Sequence, residues 1–262
     1  MILEEPIVLR TDRADGLTTL TLNRPAQFNS LSKDMLTAIR REVDDIAASE
    51  AVRVVVIAGA GKAFCAGHDL KEMRANHDKC FMQDLFRQCG ELMLALTRLP
   101  QPVIARVHGI ATAAGCQLVS MCDLAVAADV AKFAVSGINV GLFCSTPAVG
   151  LARNLGRKAA LEMLLTGDFI DAMEAKSKGL VNRVVPLDAL DAEIERLAGS
   201  ILAKSAVAVK MGKGMFYKQL EMGLDDAYAY AAEVMACNMM SEDAGEGIDA
   251  FMQKRKPQYQ GR

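Results

Sequence analysis

The hydrophobic pattern of the first half of the chain switches repeatedly between a strand period and a helix period. The runs IVLRTD (7–12) and LTTLTLNR (17–24) are rich in β-branched residues and flank Asp15-Gly16, so they predict a hairpin. After Ser32 the apolar residues Met35, Leu36, Ile39, Val43, Ile46 and Ala47 fall at helical spacing with charged residues between them, which predicts an amphipathic helix. VRVVVIAG (52–59) is a β-branched run ending in glycine, the pattern of a strand buried on both faces. PVIARVHG (102–109) and LAVAA (124–128) read as further strands, separated by a short helix near 114–122. Strand, helix, strand at this spacing predicts stacked parallel units and an α/β fold.

Beyond about Ala148 helical patterns dominate, over 157–165, 171–178, 187–203, 205–221, 224–240 and 242–254. One break, NRVVP (182–186), is expected to return a strand to the sheet. Ser241 is the expected N-cap of the last helix, with Glu242 and Asp243 in its first turn and Lys254, Arg255 and Lys256 at its end, as the helix dipole favours. No flexible linker or low-complexity segment interrupts the chain. The expected organisation is an α/β core over 1–195 followed by a helical region over 196–262.

Composition narrows the function classes. The chain has 262 residues, 52% hydrophobic and 24% charged, enough for a sizeable core and far from disorder. Thirty basic and 32 acidic residues give a net charge of −2 with no basic tract, so no nucleic-acid partner is expected. No apolar run reaches the length of a membrane span, so no membrane partner is expected either. Seven scattered cysteines without a C-x-x-C pair, and three histidines far apart at 68, 77 and 108, predict neither a disulfide framework nor a metal site. The opening MILEEPIVLR matches neither a secretory nor a transit pattern, and a cytoplasmic location is expected.

Several motifs fail on inspection. GAGKAF (59–64) resembles a phosphate loop, but Val56 and Ala63 stand where a Walker A loop needs glycine and a hydroxyl residue, and Phe64 spoils a dinucleotide fingerprint. No G-x-S-x-G elbow is present. Two glycine-bearing segments remain, KAFCAGHDLKEM (62–73) and HGIATAAGCQLVSMCD (108–123). Their small residues let backbone N–H groups approach a ligand, and two such groups converging on a carbonyl oxygen make an oxyanion hole.

These segments, with TLNRP-x-x-x-NSL (21–31), LTGDFIDAMEAKSKGLVNRVV (165–185) and EGIDAFMQKRKP (246–257), resemble the crotonase superfamily, the enoyl-CoA hydratase/isomerase family, over nearly the whole chain. ATAAGCQL (111–118) and GLFCSTP (141–147) are similar to the enoyl-CoA hydratase domain-containing branch. The resemblance implies a spiral of ββα units with a C-terminal helical region that packs in a homotrimer or dimer of trimers. It implies an acyl-CoA thioester as partner, with coenzyme A part of the substrate and no separate cofactor. The backbone N–H groups of His68 and Ala114 would form the thioester-oxygen hole. Ala63, Phe64, Cys65 and Ala66 would lie against the adenine, and His68, Asp69, Leu70 and Lys71 would line the pantetheine and acyl entrance. A phosphate contact by Lys254, Arg255 and Lys256 is the alternative to a solvated helix end, which is the expectation.

One departure bears on function. Hydratases of this family use two glutamates, and Gln117 and Gly137 occupy those positions here. A carboxamide does not ionise near neutral pH and glycine has no side chain, and each missing acid/base group costs about 10²–10⁴ in rate. The expectation is acyl-CoA binding with weak or absent hydration. The alternatives are a hydratase with relocated groups, drawn from Asp69, Glu72 or His68, and a non-catalytic acyl-CoA binder. Enolate chemistry without a paired base, such as decarboxylation of a malonyl-type thioester, belongs to the main reading. His68 is read chiefly as a backbone donor, with a catalytic imidazole the alternative. Asp69 is expected to cap a helix, Cys116 and Cys144 to pack inertly, and Ser136 and Ser145 lack an identified base.

Overall fold

The computed structural model describes residues 5–262, so the first four residues of the segment read for a leader lie outside it. In chain order the strands are β1 Val8–Asp12, β2 Leu17–Leu22, β3 Val54–Gly59, β4 Ala63–Cys65 and β5 Val103–Val107. They continue with β6 Ile110–Thr112, β7 Leu124–Ala128, β8 Lys132–Ala134, β9 Ile170–Asp171 and β10 Arg183–Val185. The helices of the first half are α1 Lys33–Ala47, α2 Leu70–Ala75, α3 Lys79–Arg98 and α4 Ala114–Met121. The second half adds α5 Ser145–Asn154, α6 Arg157–Thr166, α7 Ala172–Ser177, α8 Leu190–Leu202, α9 Ala206–Gln219, α10 Leu224–Met239 and α11 Glu242–Met252.

Two sheets run side by side. The larger has the order β1-β2-β3-β5-β7-β10, parallel except for the β1–β2 hairpin. The smaller has the order β4-β6-β8-β9, parallel except at β8–β9. Each turn of the chain therefore lays one strand in the large sheet and the next in the small sheet, then adds helix. This is the spiral of strand–strand–helix units that the resemblance implies, and the fold is α/β.

The strands of the large sheet read as continuous apolar runs because both faces are covered. Val55 and Ile57 of β3 face the main core, where Met35, Leu36, Ile39, Val43 and Ile46 of α1 are sealed. Val54 and Val56 face the other way, onto Leu190, Ile194, Leu197 and Ala198 of α8. Ser32 caps α1 by accepting from the Met35 N–H, as its place before the amphipathic run predicts. Ala47 is exposed rather than part of the buried face. The expected elements do not include α3, although Leu85, Cys89, Leu92 and Leu96 form its buried face and Asp78 caps it.

The C-terminal helices are tied to the core by a buried ion pair. Lys213 Nζ on α9 lies 2.6 Å from Asp123 Oδ2 and donates to the Leu96 and Gln101 carbonyls at 2.9 Å each. Tyr217 donates to Asp123 Oδ1 at 2.8 Å. Ser241 caps α11 through the Ala244 N–H. Asp243, in its first turn, is buried and holds the chain end by accepting from the Gln260 and Gly261 N–H groups. Arg255 is paired with Glu246 at 2.6 Å, so this member of the basic cluster is already engaged. No described helix is long and apolar enough to cross a membrane.

Candidate active site

The two glycine-bearing segments meet. β4 pairs with β6, Ala63 opposite Ile110 and Cys65 opposite Ala111. Beyond the strands the chains close further, and glycine is what allows it. A Cβ on Gly115 would stand 2.1 Å from the Cys65 carbonyl oxygen, and one on Gly67 would stand 2.8 Å from Ala113 Cβ and 3.2 Å from Ala114 N. Gly67 also has φ +92°, a conformation that side chains resist. The residue pairs 67–68 and 113–114 are thereby held side by side.

Ala113 carries the strain of this arrangement. Its φ of 50° and ψ of −120° are rare for a residue with a Cβ. Neighbours fix it: the Ala113 N–H donates to the Ala134 carbonyl at 3.0 Å, and the Ala113 carbonyl accepts from the Gln117 N–H at 3.0 Å. Ala114 then opens α4 with its N–H among those the helix leaves unpaired. On the other strand, Asn29 is fully buried and its side-chain nitrogen donates to the Ala60 and Ala63 carbonyls at 2.8 Å and to Phe64 at 3.2 Å. Neither Ala113 nor Asn29 was among the candidate residues. Asn29 is signalled only by its place in a motif, and Ala113 by nothing in its residue type.

A cavity of about 290 Å³ opens beside these backbones. Ala66, His68 and Leu70 line one side, Ala113 and Ala114 the base, and Ser136, Gly137 and Cys144 the other side. Met73 and Phe86 form an apolar end, while Leu142 and Phe143 add further apolar wall. Among the described residues no Asp, Glu, Lys or Arg lines it, and its titratable side chains are His68 and Cys144.

The His68 ring is fixed at one nitrogen. Nδ1 lies 3.1 Å from the Leu31 carbonyl oxygen, which only accepts, so Nδ1 carries the proton. Nε2 is buried without a partner, and the ring stands edge-on to Phe86 at 5.4 Å between centroids. Burial lowers the His68 pKa from its ordinary 6.5, opposed by the Leu31 hydrogen bond.

The nearby carboxylates are committed elsewhere. Asp69 caps α2, accepting from the Lys71 and Glu72 N–H groups at 3.1 and 3.2 Å, and its other oxygen lies 3.3 Å from Ser30 Oγ. Glu72 accepts from the Lys33 N–H at 3.1 Å, at the start of α1. Neither lines the cavity. Ala63, Phe64 and Cys65 are buried and only Ala66 of that stretch reaches the cavity, while Lys71 is exposed outside it.

The two positions expected to hold acidic groups differ from each other. Gln117 lies in the first turn of α4, 4% exposed, with its Oε1 unpartnered, and it does not line the cavity. Gly137 does line the cavity, but a Cβ there would stand 2.5 Å from the Leu142 carbonyl oxygen and 2.7 Å from Cys144 Sγ. The space a side chain would need is filled by the chain that follows. Cys116 is fully buried and its thiol is pushed up to about 12, and burial also raises Cys144. Ser136 Oγ is paired with Thr112 Oγ1 at 2.8 Å. Among the described residues no group of three or more potential metal ligands gathers.

The sequence pattern of the enoyl-CoA hydratase/isomerase family matches residues 12–262. The chain belongs to that family. It is 46% identical over 253 residues to the mouse protein named enoyl-CoA hydratase domain-containing protein 3, mitochondrial, spanning 97% of this chain and 84% of that one. Its fold superposes with a TM-score of 0.96 on a Mycobacterium smegmatis enoyl-CoA hydratase, at 59% identity, covering 97% of this chain and 99% of that one. Human enoyl-CoA hydratase domain-containing protein 3 superposes at 0.94, with 43% identity over 97% of this chain and all of that one. These likenesses support the crotonase fold and the domain-containing branch. The cytoplasmic expectation is corrected, because the mouse, rat and human relatives are named as mitochondrial proteins. The make-up of ten opening residues does not fix a compartment.

Proposed function

We propose that this protein binds an acyl-CoA thioester, holds its carbonyl oxygen between the backbone N–H groups of His68 and Ala114, and stabilises the enolate that forms there. Negative charge on that oxygen is favoured by fixed amide donors and by the start of α4. Coenzyme A enters as part of the substrate, and no separate cofactor is called for. The reading is supported most by one observation: the Gly67 contact with Ala113 and Ala114 N, which brings two small-residue backbones together at the base of an apolar cavity.

Hydration of an enoyl-CoA is weak or absent in this proposal. Syn addition of water needs a group to take a proton from water and one to deliver a proton to the α-carbon. Gln117 does neither, Gly137 has no side chain, and Asp69 and Glu72 are bound away from the cavity. The lining supports an uncharged acyl group, since nothing in it pairs with a second carboxylate. Exposed Phe216, Leu224, Tyr228, Met235 and Phe251 on the last helices support a homotrimer or dimer of trimers built by residues 196–262. Calorimetric titration with crotonyl-CoA, paired with an assay of its hydration, tests the proposal. Binding with turnover far below an efficient hydratase is expected, and no binding would overturn it.

A further inference from the structure

The cavity beside the paired backbones is apolar on most sides. Met73 on α2 and Phe86 on α3 form one end, and both side chains pack against the main core. Along the rest of the wall, Leu70, Val140, Leu142 and Phe143 are large, apolar and 40–66% exposed. Single exposed apolar residues are ordinary, but four around one cavity mark a surface that a ligand covers. Among the hydroxyls of the lining, Ser136 Oγ is paired with Thr112 Oγ1 at 2.8 Å and Ser145 Oγ donates to the Phe143 carbonyl at 3.4 Å, which leaves Thr146.

We propose that the acyl group taken by this site is a medium-length hydrocarbon chain of about eight carbons. Its far end rests on Met73 and Phe86, and its flank covers Leu70, Val140, Leu142 and Phe143. This rests on the acyl-CoA reading above and adds the size and chemistry of the acyl group. The length follows from the volume. A methylene needs about the room of a water molecule in the liquid, ~30 Å³, so the 290 Å³ cavity holds on the order of ten non-hydrogen atoms. The thioester sulfur and oxygen take two of these places, which leaves about eight for acyl carbons.

The wall selects on both length and polarity. A shorter acyl group leaves the Met73 and Phe86 end uncovered and forgoes part of the burial that drives binding. A longer one runs against side chains that the core backs, and its surplus carbons stay in water. A chain that ends in a charged or strongly polar group meets a thioether and a phenyl ring there, neither of which replaces its water. Phe86 is the larger side chain at that end and is assigned as the residue that sets the length limit.

The test is calorimetric binding of a series of saturated thioesters, acetyl-, butyryl-, hexanoyl-, octanoyl-, dodecanoyl- and hexadecanoyl-CoA, each below its micelle concentration. Affinity is expected to rise by up to about fourfold per methylene, and at least about tenfold from butyryl to octanoyl, then to level off. Adipoyl-CoA, with a carboxylate at the chain end, is expected to bind at least about tenfold more weakly than hexanoyl-CoA. Phe86→Ala is expected to move the levelling point to longer chains, and Val140→Ser with Leu142→Ser to lower the ratio of octanoyl to butyryl affinity. An affinity that is flat from butyryl to octanoyl, or that climbs without a break to hexadecanoyl, would overturn the proposal while leaving the acyl-CoA reading intact. Equal binding of adipoyl- and hexanoyl-CoA would do the same, and an unmoved levelling point in Phe86→Ala would overturn the assignment of that end. Failure of every thioester in the series to bind would overturn both readings.

Discussion

The base of the cavity and the wall around Gly137 were shaped in different ways. At the base, two segments are drawn together by glycines whose added Cβ would strike Cys65 or the 112–114 stretch, and the strained Ala113 is fixed by hydrogen bonds on both sides. At the Gly137 wall, the position where the resemblance implies a glutamate holds no side chain, and the Leu142 carbonyl oxygen and Cys144 Sγ occupy the space that a Cβ would need. The first region keeps main-chain geometry at the cost of strain. The second offers neither a side chain nor room for one. On the proposed reading, main-chain donors stand at this site without side-chain acids.

The base is the more fragile region. Gly115→Ala forces its new Cβ onto the Cys65 carbonyl, a rigid neighbour, and is expected to destabilise the fold by about 3 kcal/mol or more and to abolish crotonyl-CoA binding. Denaturant unfolding and calorimetry check both effects, and a variant of ordinary stability and affinity would show that the close approach is dispensable.

Restoring the carboxylates separately sharpens the comparison. Gln117→Glu places an acid at a buried position, so desolvation makes the carboxyl hold its proton more tightly in the folded state than in the unfolded chain. Stability is then lost as pH rises above the unfolded value of about 4.3, and a cost of about 2–3 kcal/mol is expected at pH 8. Unfolding curves at pH 5 and pH 8 would separate this from a simple packing defect, which is the same at both. Gly137→Glu meets the Leu142 carbonyl and the Cys144 thiol, so about 2 kcal/mol of destabilisation is expected with no recovered hydration. Recovered hydration would mean that the wall opens readily to readmit the acid.

The smallest expected effect is the pH dependence set by His68. Its folded pKa lies below the ordinary 6.5, so the unfolded chain binds a proton first as the medium is acidified. Its contribution to stability is full above 6.5 and declines as pH falls through 6.5 towards the folded value. His68→Gln should flatten that part of the stability profile, and an unchanged profile would place the dependence elsewhere.

How far the sequence disclosed all this depends on length and on partner. The large sheet and α1 were legible because their strands and helix are long enough to show a period. The small sheet was not: Ala63–Cys65, Ile110–Thr112 and Lys132–Ala134 have three residues each and Ile170–Asp171 two, too few for any pattern. The glycines of the two segments announced a close approach, but not that Gly115 meets Cys65 or that Gly67 meets Ala113. Ala113 gave no sign at all, since alanine is ordinary and its φ of 50° is imposed from outside. The substitutions at Gln117 and Gly137 could be read directly, whereas the closing of the wall over Gly137 is tertiary. The unpaired Nε2 of His68 likewise follows from where Leu31 and Phe86 stand, and not from the histidine itself.

The most direct test of an intact cradle without its acids is steady-state hydration of crotonyl-CoA by protein shown calorimetrically to bind it. The account predicts saturable binding with turnover at least about 10²-fold below the 10² s⁻¹ or so of an efficient hydratase. Turnover at or above about 10² s⁻¹ would contradict it.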